Sequence, residues 1–294
     1  MRIGIDLGGT KTEAIALASD GREMMRERVA TIQGSYEATL RTIAALVEGL
    51  ESQAGQRGSV GVGMPGAVSP VSGLVKNANS TWLIGKPLGR DLAETLPRPV
   101  RQANDADCVA LSEASDGAGA GAPIVFGVIL GTGVGGGIVV HGRLLSGPNA
   151  IAGEWGHNPL PWPTDDERSG PPCYCGKTGC IETFLSGPGL TRDFADLTGR
   201  TATAAEICAS DDPAALAAVE RYCDRLARGL AGIINILDPQ IIVLGGGMSK
   251  QPRLYDEVPR RWGRHVFSDH VETLLRPPVY GDSSGVRGAA WLWP

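Results

Sequence analysis

The residues of this chain best suited to chemistry are concentrated between Gly153 and Glu182, which read GEWGHNPLPW, then a polar loop rich in Pro and Asp, then CYCGKTGCIE. Cys173, Cys175 and Cys180 fall within eight residues, and His157 lies one loop upstream. This is a Cys3His set of the soft and borderline donors that zinc favours. Gly176 and Gly179 let the backbone turn tightly enough to aim three thiolates at one point. The C-x-C-x4-C spacing matches no common finger. The alternative, reduced thiols in a turn beside an ordinary polar histidine, leaves an oxidation-prone cluster, and a disulfide would strand one cysteine. Four protein ligands leave no open position, so the expected zinc is structural, which argues against a zinc-dependent hydrolase. Its work would be orientation, pinning a loop whose Glu154 and Glu182 can accept hydrogen bonds from hydroxyl groups of a ligand.

Two glycine turns offer a second kind of chemistry. Gly8-Gly9-Thr10-Lys11 lacks the GxxxxGK[ST] pattern and is no Walker loop. Its two glycines nevertheless expose backbone N–H groups to phosphate, Thr10 adds a hydroxyl, Lys11 a cation, and Asp6 before it is placed to hold hydrated Mg2+. A plain hairpin with a surface lysine is the alternative. Gly131 to Gly137, GTGVGGG, forms a second such turn with Thr132 inside it. Asp105 stands where a strand ends and a helix begins, a common place for catalysis in α/β folds and equally for an N-cap. The triple glycine Gly245-Gly246-Gly247 lets a flat group such as adenine or ribose lie against bare backbone, or makes a simple strand-to-helix turn.

The elements that must position these groups follow from periodicity. Ile3, Ile5 and Leu7 alternate as in a strand. Ala14 to Leu17 and Met24 to Ala30 continue an antiparallel meander. Leu40, Ile43, Val47 and Leu50 predict a helix over about 35–53. Val60 to Met64 is a short strand running into the turn Pro65-Gly66, and Lys76 to Ser80 is a polar loop in which Asn79 reads as a turn former. A strand from Val100 to Asn104 precedes a helix over 106–115. The second half repeats the first: strand Ile124 to Leu130, the glycine turn, and a return strand Ile138 to His141. Such a duplication predicts two units whose glycine hairpins face one another and clamp a polyphosphate. Leu216 to Leu237 marks a long amphipathic helix stopped by Asp238-Pro239, and Ile241 to Leu244 a buried strand. Gly285 to Trp293 predicts a short helix packing back across the boundary between the two units.

Composition bounds the rest. A chain of 294 residues with 42% hydrophobic content can bury a large core. A net charge of −5 without a basic stripe argues against nucleic acid or an anionic membrane as partner and favours a small one. With no apolar run near the ~20 residues of a membrane span and no signal core at the start, the expected location is cytoplasmic. Cys108, Cys208 and Cys223 sit singly in helical patterns and read as buried reduced thiols.

Together DLGGTK at 6–11, NDAD at 104–107, ILGTGVGGG at 129–137, GEWGH at 153–157, CYCGKTGCIE at 173–182 and VLGGGM at 243–248 resemble the ROK family of sugar kinases over essentially the whole length. Within it, VKNANSTWL at 75–83, GEWGHNPLPW at 153–162 and GDSSGVRGAAWLWP at 281–294 are most similar to bacterial fructokinases that also accept mannose. The resemblance implies an α/β, two-domain actin/hexokinase-like (ribonuclease H-like) fold with a zinc-binding loop in the second domain. The smaller domain would span 1–116, completed by a C-terminal helix at about 284–294, and the larger 117–283. It implies ATP-dependent phosphorylation of a hexose 6-hydroxyl, with fructose first, mannose second, and glucose or N-acetylglucosamine as the alternative. Asp105 would be the general base. Asp6 would hold Mg2+ through water, the backbones of Gly8 to Lys11 and Gly131 to Gly133 and the Thr132 hydroxyl would hold phosphates, and Gly245 to Gly247 would lie beside adenosine. Asn79, Asn104, Glu154, His157 and Glu182 match the sugar-contacting positions. One His157 nitrogen would ligate zinc while the other faces the sugar. A homodimer and cleft closure on sugar binding are expected by the same analogy. ROK repressors carry an N-terminal winged helix, whereas a first strand at residue 2 points to a kinase. A non-catalytic sugar or nucleotide sensor would require a damaged catalytic set, and every member is present.

Overall fold

Ile3, Ile5 and Leu7 are buried on strand β1 (Arg2–Leu7), the centre of the first of two sheets in the computed structural model, which describes Met1–Pro294. β1 pairs antiparallel with β2 (Lys11–Leu17), which pairs with β3 (Glu23–Ala30). On its other side lie β4 (Ser59–Met64) and, beyond a small hairpin of β5 (Ala67–Val68) and β6 (Val75–Lys76), β7 (Val100–Asn104), both parallel to β1. The order is β3-β2-β1-β4-β7. The second sheet contains β8 (Ile124–Leu130), β9 (Val134–Val140), β10 (Arg143–Leu144), β11 (Ile241–Gly245) and β12 (Leu274–Arg276) in the order β10-β9-β8-β11-β12. Counted from the first strand of each half, the two orders coincide, so the duplication seen in the sequence is a duplication of topology.

The first core joins the first sheet to α1 (Tyr36–Ala54) and α2 (Leu88–Thr95). Ser35 caps α1 by accepting from the Ala38 amide, and Gly55 ends it in the left-handed region. The second core is built on α7 (Pro213–Leu237), with α4 (Ile181–Leu185), α5 (Gly187–Thr198), α6 (Ala204–Ala209) and α8 (Arg253–Trp262) around it. Asp212 caps α7, Pro213 occupies its first turn, and Asp238 takes the left-handed conformation that stops it before Pro239, as predicted.

Two helices join the halves. α3 (Asp105–Ser115) follows β7, and α9 (Ser284–Trp291) returns from the end of the chain. A Cβ on Gly288 would overlap the carbonyl oxygen of Cys108, one on Gly61 that of Ala289, and one on Gly4 that of Val286. Backbone therefore meets backbone where α9 crosses α3, β4 and β1. The buried Glu113 of α3 accepts from the amides of Ala118 (2.9 Å) and Val279 (3.0 Å) and from the Ser284 hydroxyl (2.7 Å). At the terminus, Arg2 Nε donates to the Trp293 carbonyl (3.0 Å), and Trp293 Nε1 to that of Val60 (2.7 Å).

Two sequence expectations need correction. The second glycine turn is not seven residues long: only Gly131 to Gly133 turn, and the return strand starts at Val134 rather than Ile138. Gly135, Gly136 and Gly137 lie inside β9 because side chains there would collide, with Ala106 and Ala110 of α3 on one face and with Phe126, Trp155 and Gly153 on the other. β2 likewise begins at Lys11, not Ala14, so Lys11 is the first strand residue. No helix is long and apolar enough to cross a membrane.

Candidate active site and metal centre

Asp105 opens α3, but it is not the cap. Asn104 accepts from the Ala106 amide (2.8 Å) through Oδ1 and donates from Nδ2 to the Gly66 carbonyl (2.8 Å). Asp105 also receives the Ala106 amide on Oδ1 (2.8 Å), while its side chain stays open to solvent. Protein mass around the carboxyl raises its pKa despite that opening, burial first and the Glu154 charge next. Asp6, at the end of β1, is raised to about 6 by burial, then by Asp105 and Glu13, with Lys11 acting in the opposite sense. Asp107, one position past Ala106, is raised to about 7 by burial, then Glu154 and Asp105. Its Oδ1 is buried without a hydrogen-bond partner. The end of β1, the first turn of α3 and the loop before Trp155 thus carry four carboxylates, Asp6, Asp105, Asp107 and Glu154, with Asp105 and Glu154 both raising Asp107 and Asp105 raising Asp6.

Gly8 closes its turn by donating to the Lys11 carbonyl (3.0 Å), and the turn is braced from β3 onward: Thr31 Oγ1 donates to the Gly8 carbonyl (2.8 Å) and Gln33 Nε2 to that of Gly9 (2.7 Å). Thr10 and Lys11 are exposed. A Cβ on Gly9 would lie 3.9 Å from Ser80 Oγ, so the Asn77–Ser80 loop adjoins this turn. Asn79 in that loop is exposed, and Gly66, against which Ala78 packs, ties the loop to Asn104.

In the second half, Gly131 donates to Gly133 (3.0 Å) and accepts from the Gly187 amide at the start of α5 (2.7 Å). Glu182 Oε2 accepts from the Val134 amide (2.9 Å), so this carboxylate is tied to the glycine turn. Gly131, Thr132 and Gly247 line one cavity of about 1350 Å3 whose remaining walls are α5, α6 and the residues around Met248 to Pro252. Gly245 ends β11, and Gly246 turns with φ 78°, its backbone pressed against Leu130.

The four expected metal donors converge. His157, Cys173, Cys175 and Cys180 place their ligand atoms within 4.8 Å of one another, with Cys173 Sγ 3.6 Å from His157 Nδ1 and Cys175 Sγ 3.6 Å from Cys180 Sγ. A tetrahedron with zinc–sulfur bonds of ~2.3 Å has edges of ~3.8 Å, so the set fits zinc. Gly176 and Gly179 hold the knuckle at φ 87° and 69°. The loop entering it is anchored by Glu167, which accepts from Arg225 Nε (2.7 Å) and Arg228 Nη1 (2.8 Å) of α7. Burial alone would raise that carboxyl, but the two guanidiniums hold it at about 2. Trp155, stacked edge-on against Phe126 and donating to the Gly135 carbonyl (2.9 Å), fixes the residue after Glu154.

One expectation about His157 changes. Its Nδ1 faces the thiols, but Nε2, expected to be free for sugar, is 3.0 Å from the Tyr174 hydroxyl, and the two rings meet edge to face at 5.1 Å. Tyr174 itself is 84% exposed.

The ROK family pattern matches residues 2–294. The chain belongs to the ROK family. It is 40% identical over 299 residues to the N-acetyl-D-glucosamine kinase of Yersinia pseudotuberculosis serotype O:1b (strain IP 31758), covering 99% of this chain and 98% of that protein. It is 38% identical over 301 residues to the N-acetyl-D-glucosamine kinase of Pasteurella multocida (strain Pm70), covering 100% and 99%. Among solved structures it is similar to the ROK hexokinase from Thermus thermophilus, with TM-score 0.88 and 32% identity over 99% of this chain and 96% of that one. It is also similar to a ROK family glucokinase from Streptomyces griseus in complex with glucose and AMPPNP, with TM-score 0.78 and 27% identity over 99% and 98%.

Three features of this ROK chain escaped sequence reasoning. Asp107 stood inside the quoted NDAD stretch without a role, although a second acid at that spacing was a visible signal. Tyr174, between two candidate ligands, was likewise in plain view. The cavity walls from Gly187 to Ala209 carried no signal at all, because Gly, Ala and Thr offer no chemistry that marks a site.

Proposed function

We propose that this ROK protein is an ATP-dependent sugar kinase acting on the 6-hydroxyl of a hexose, with N-acetylglucosamine as its preferred substrate. The observation that carries the sugar is the identity of 38 to 40% over the full chain to kinases named for it. That supports the alternative kept open in the sequence over the fructose and mannose reading, which none of these relatives supports. Nucleotide use is supported by the likeness to a ROK glucokinase whose structure contains glucose and AMPPNP.

In this reading Asp105 is the general base. It takes the proton of the 6-hydroxyl as that oxygen attacks the γ-phosphorus, while the bond from phosphorus to the β–γ bridging oxygen breaks and ADP leaves. Asn104 serves this role from beneath: by capping α3 it leaves Asp105 one oxygen free of helix duty. Asn79, Asn104, Glu154, His157 and Glu182 would read the sugar hydroxyls, with Tyr174 beside Nε2 of His157. The backbones of Gly8 to Lys11 and Gly131 to Gly133, with Thr132, would carry the phosphates, and Gly245 to Gly247 would border the adenosine in the large cavity. Asp6 would hold hydrated Mg2+, which supplies charge neutralisation for the phosphates when bound. Zinc on His157, Cys173, Cys175 and Cys180 would orient the sugar loop. The division into 1–116 with 284–294, and 117–283, would then set the carboxylates at the mouth of a cleft that closes on sugar.

The test is sugar-dependent ADP release from Mg-ATP across N-acetylglucosamine, glucose, fructose and mannose, compared as kcat/KM. Highest values for N-acetylglucosamine are expected. A preference for fructose or mannose would overturn the sugar assignment, and no turnover with any sugar would overturn the kinase reading in favour of a sensor.

A further inference from the structure

We infer that the Tyr174 hydroxyl reads the 2-substituent of the sugar and favours an acetamido group there over a hydroxyl. The inference rests on the kinase reading above and adds a residue that sets its sugar specificity.

Tyr174 stands among the sugar-reading groups on the side away from the proposed base. His157 ends the single helical turn that Glu154 begins, and Glu182 follows Cys180 by two positions in the first turn of α4. The Tyr174 hydroxyl is 3.0 Å from His157 Nε2, and the two rings pack edge to face at 5.1 Å. Nearby protein mass first, then the charges of Glu182, Cys173 and Glu154, raise its pKa to about 12, so both carboxylates stand close to it. Glu154 also acts on Asp105. Asn104 and, through Gly66, the loop of Asn79 belong to the Asp105 side. A hexopyranose laid along these groups with its 6-hydroxyl on Asp105 turns its 2-substituent toward Tyr174, because C2 stands across the ring from C5, which carries C6.

The chemistry scarce at that end is hydrogen-bond donation. Ionised Glu154 and Glu182 only accept, and Oε2 of Glu182 already holds the Val134 amide. They serve sugar hydroxyls and an amide N–H, but not the carbonyl oxygen of an acetamido group, which itself only accepts. His157 turns Nδ1 to Cys173 Sγ (3.6 Å). With that nitrogen on zinc, the imidazole proton sits on Nε2 and is donated to the Tyr174 oxygen. The phenol keeps its own O–H, which has no second partner in the protein, and this is the donor that the carbonyl needs. Glucose makes no such demand, because its 2-hydroxyl can turn and donate to a carboxylate instead.

The test is calorimetric binding of N-acetylglucosamine and of glucose, without nucleotide, to wild type and to Tyr174→Phe, both purified with zinc. The phenyl ring keeps the edge contact with His157 and removes only the hydroxyl. Loss of one hydrogen bond to a carbonyl predicts that the ratio of Kd for N-acetylglucosamine to Kd for glucose rises at least about threefold. The same ratio taken from KM/kcat covers a sugar too weak for calorimetry. A smaller rise, a fall, or parallel losses for both sugars would overturn the proposal, parallel losses being what a phenol that merely steadies His157 would give. Wild type that phosphorylates another hexose but neither binds nor phosphorylates N-acetylglucosamine overturns the sugar assignment and this inference with it. Wild type that phosphorylates N-acetylglucosamine, with a ratio unmoved by the substitution, overturns the inference alone.

Discussion

Asp107→Asn separates a carboxyl held near neutrality from one that is merely exposed. Asp107 lies in the first turn of α3 with a buried, unpartnered Oδ1, and burial, then Glu154 and Asp105, raise its pKa from 3.8 to about 7. A shift of ~3 units corresponds to a ceiling of ~4 kcal/mol at 1.36 kcal/mol per unit. Solvent around Asp107, which is only partly buried, and coupling among the acids bring that to roughly half. Because the folded pKa lies above the unfolded one, the protonated carboxyl favours the fold at low pH. That contribution is lost as pH rises from ~4 to ~7. Between pH 5 and pH 8 the wild-type chain should therefore lose about 1 kcal/mol of stability through this residue, a loss that asparagine cannot suffer. Asp6, raised to about 6, titrates in both proteins and cancels in the comparison. The assay is urea unfolding of both proteins at the two pH values, and the quantity is the difference between their pH-induced losses. Parallel losses would refute the assignment of a raised pKa to Asp107 and its coupling to Glu154 and Asp105.

Asp105→Asn keeps the Ala106 contact and the helix start but removes the proposed base. It should lower kcat by ~10^2–10^4 while sugar affinity, measured by calorimetry, changes little. Near-normal turnover would remove Asp105 from that role. Cys175→Ser, or chelation of the proposed zinc, should weaken sugar binding and lower Tm more than it slows the chemical step. Sugar affinity unchanged in protein proved metal-free by elemental analysis would defeat the orienting role of the Cys3His set. Gly288→Ala inserts a methyl where the Cys108 carbonyl already stands. It should destabilise the chain by ~1–3 kcal/mol or more in thermal unfolding, and an unaltered Tm would show that α3 and α9 can part at no cost.

Much of the architecture was legible because it is local. The alternation of Ile3, Ile5 and Leu7, the DLGGTK turn and the Asp238-Pro239 stop each declare themselves within a few residues, and the duplication followed from comparing two such stretches. The Cys3His set was legible because thiol spacing survives any detail of the loop. The glycines at 135 to 137 misled for a physical reason: a glycine required by a neighbouring helix looks, in sequence, the same as one required by a turn. Only the approach of Ala106 and Ala110 distinguishes the two. The Tyr174–His157 contact depends on a rotamer across the Cys3His turn, and the raised pKa of Asp107 on its burial in the fold and then on the charge brought from the loop at Glu154, so neither is written in the local pattern.

The place of α9 in the chain bears on how this protein is born. Its residues fill the floor of the first sheet, with Arg2 bonded to a partner 291 positions away. A ribosome that has released the entire first sheet has still not made the helix against which Gly4 and Gly61 pack. During synthesis that half must wait with an apolar face uncovered, while everything from β8 to β12 emerges and folds. Contacts of such sequence separation form late and slowly. Loss of only the last dozen residues, by an early stop or by a protease, would therefore unmake the beginning of the molecule rather than its end.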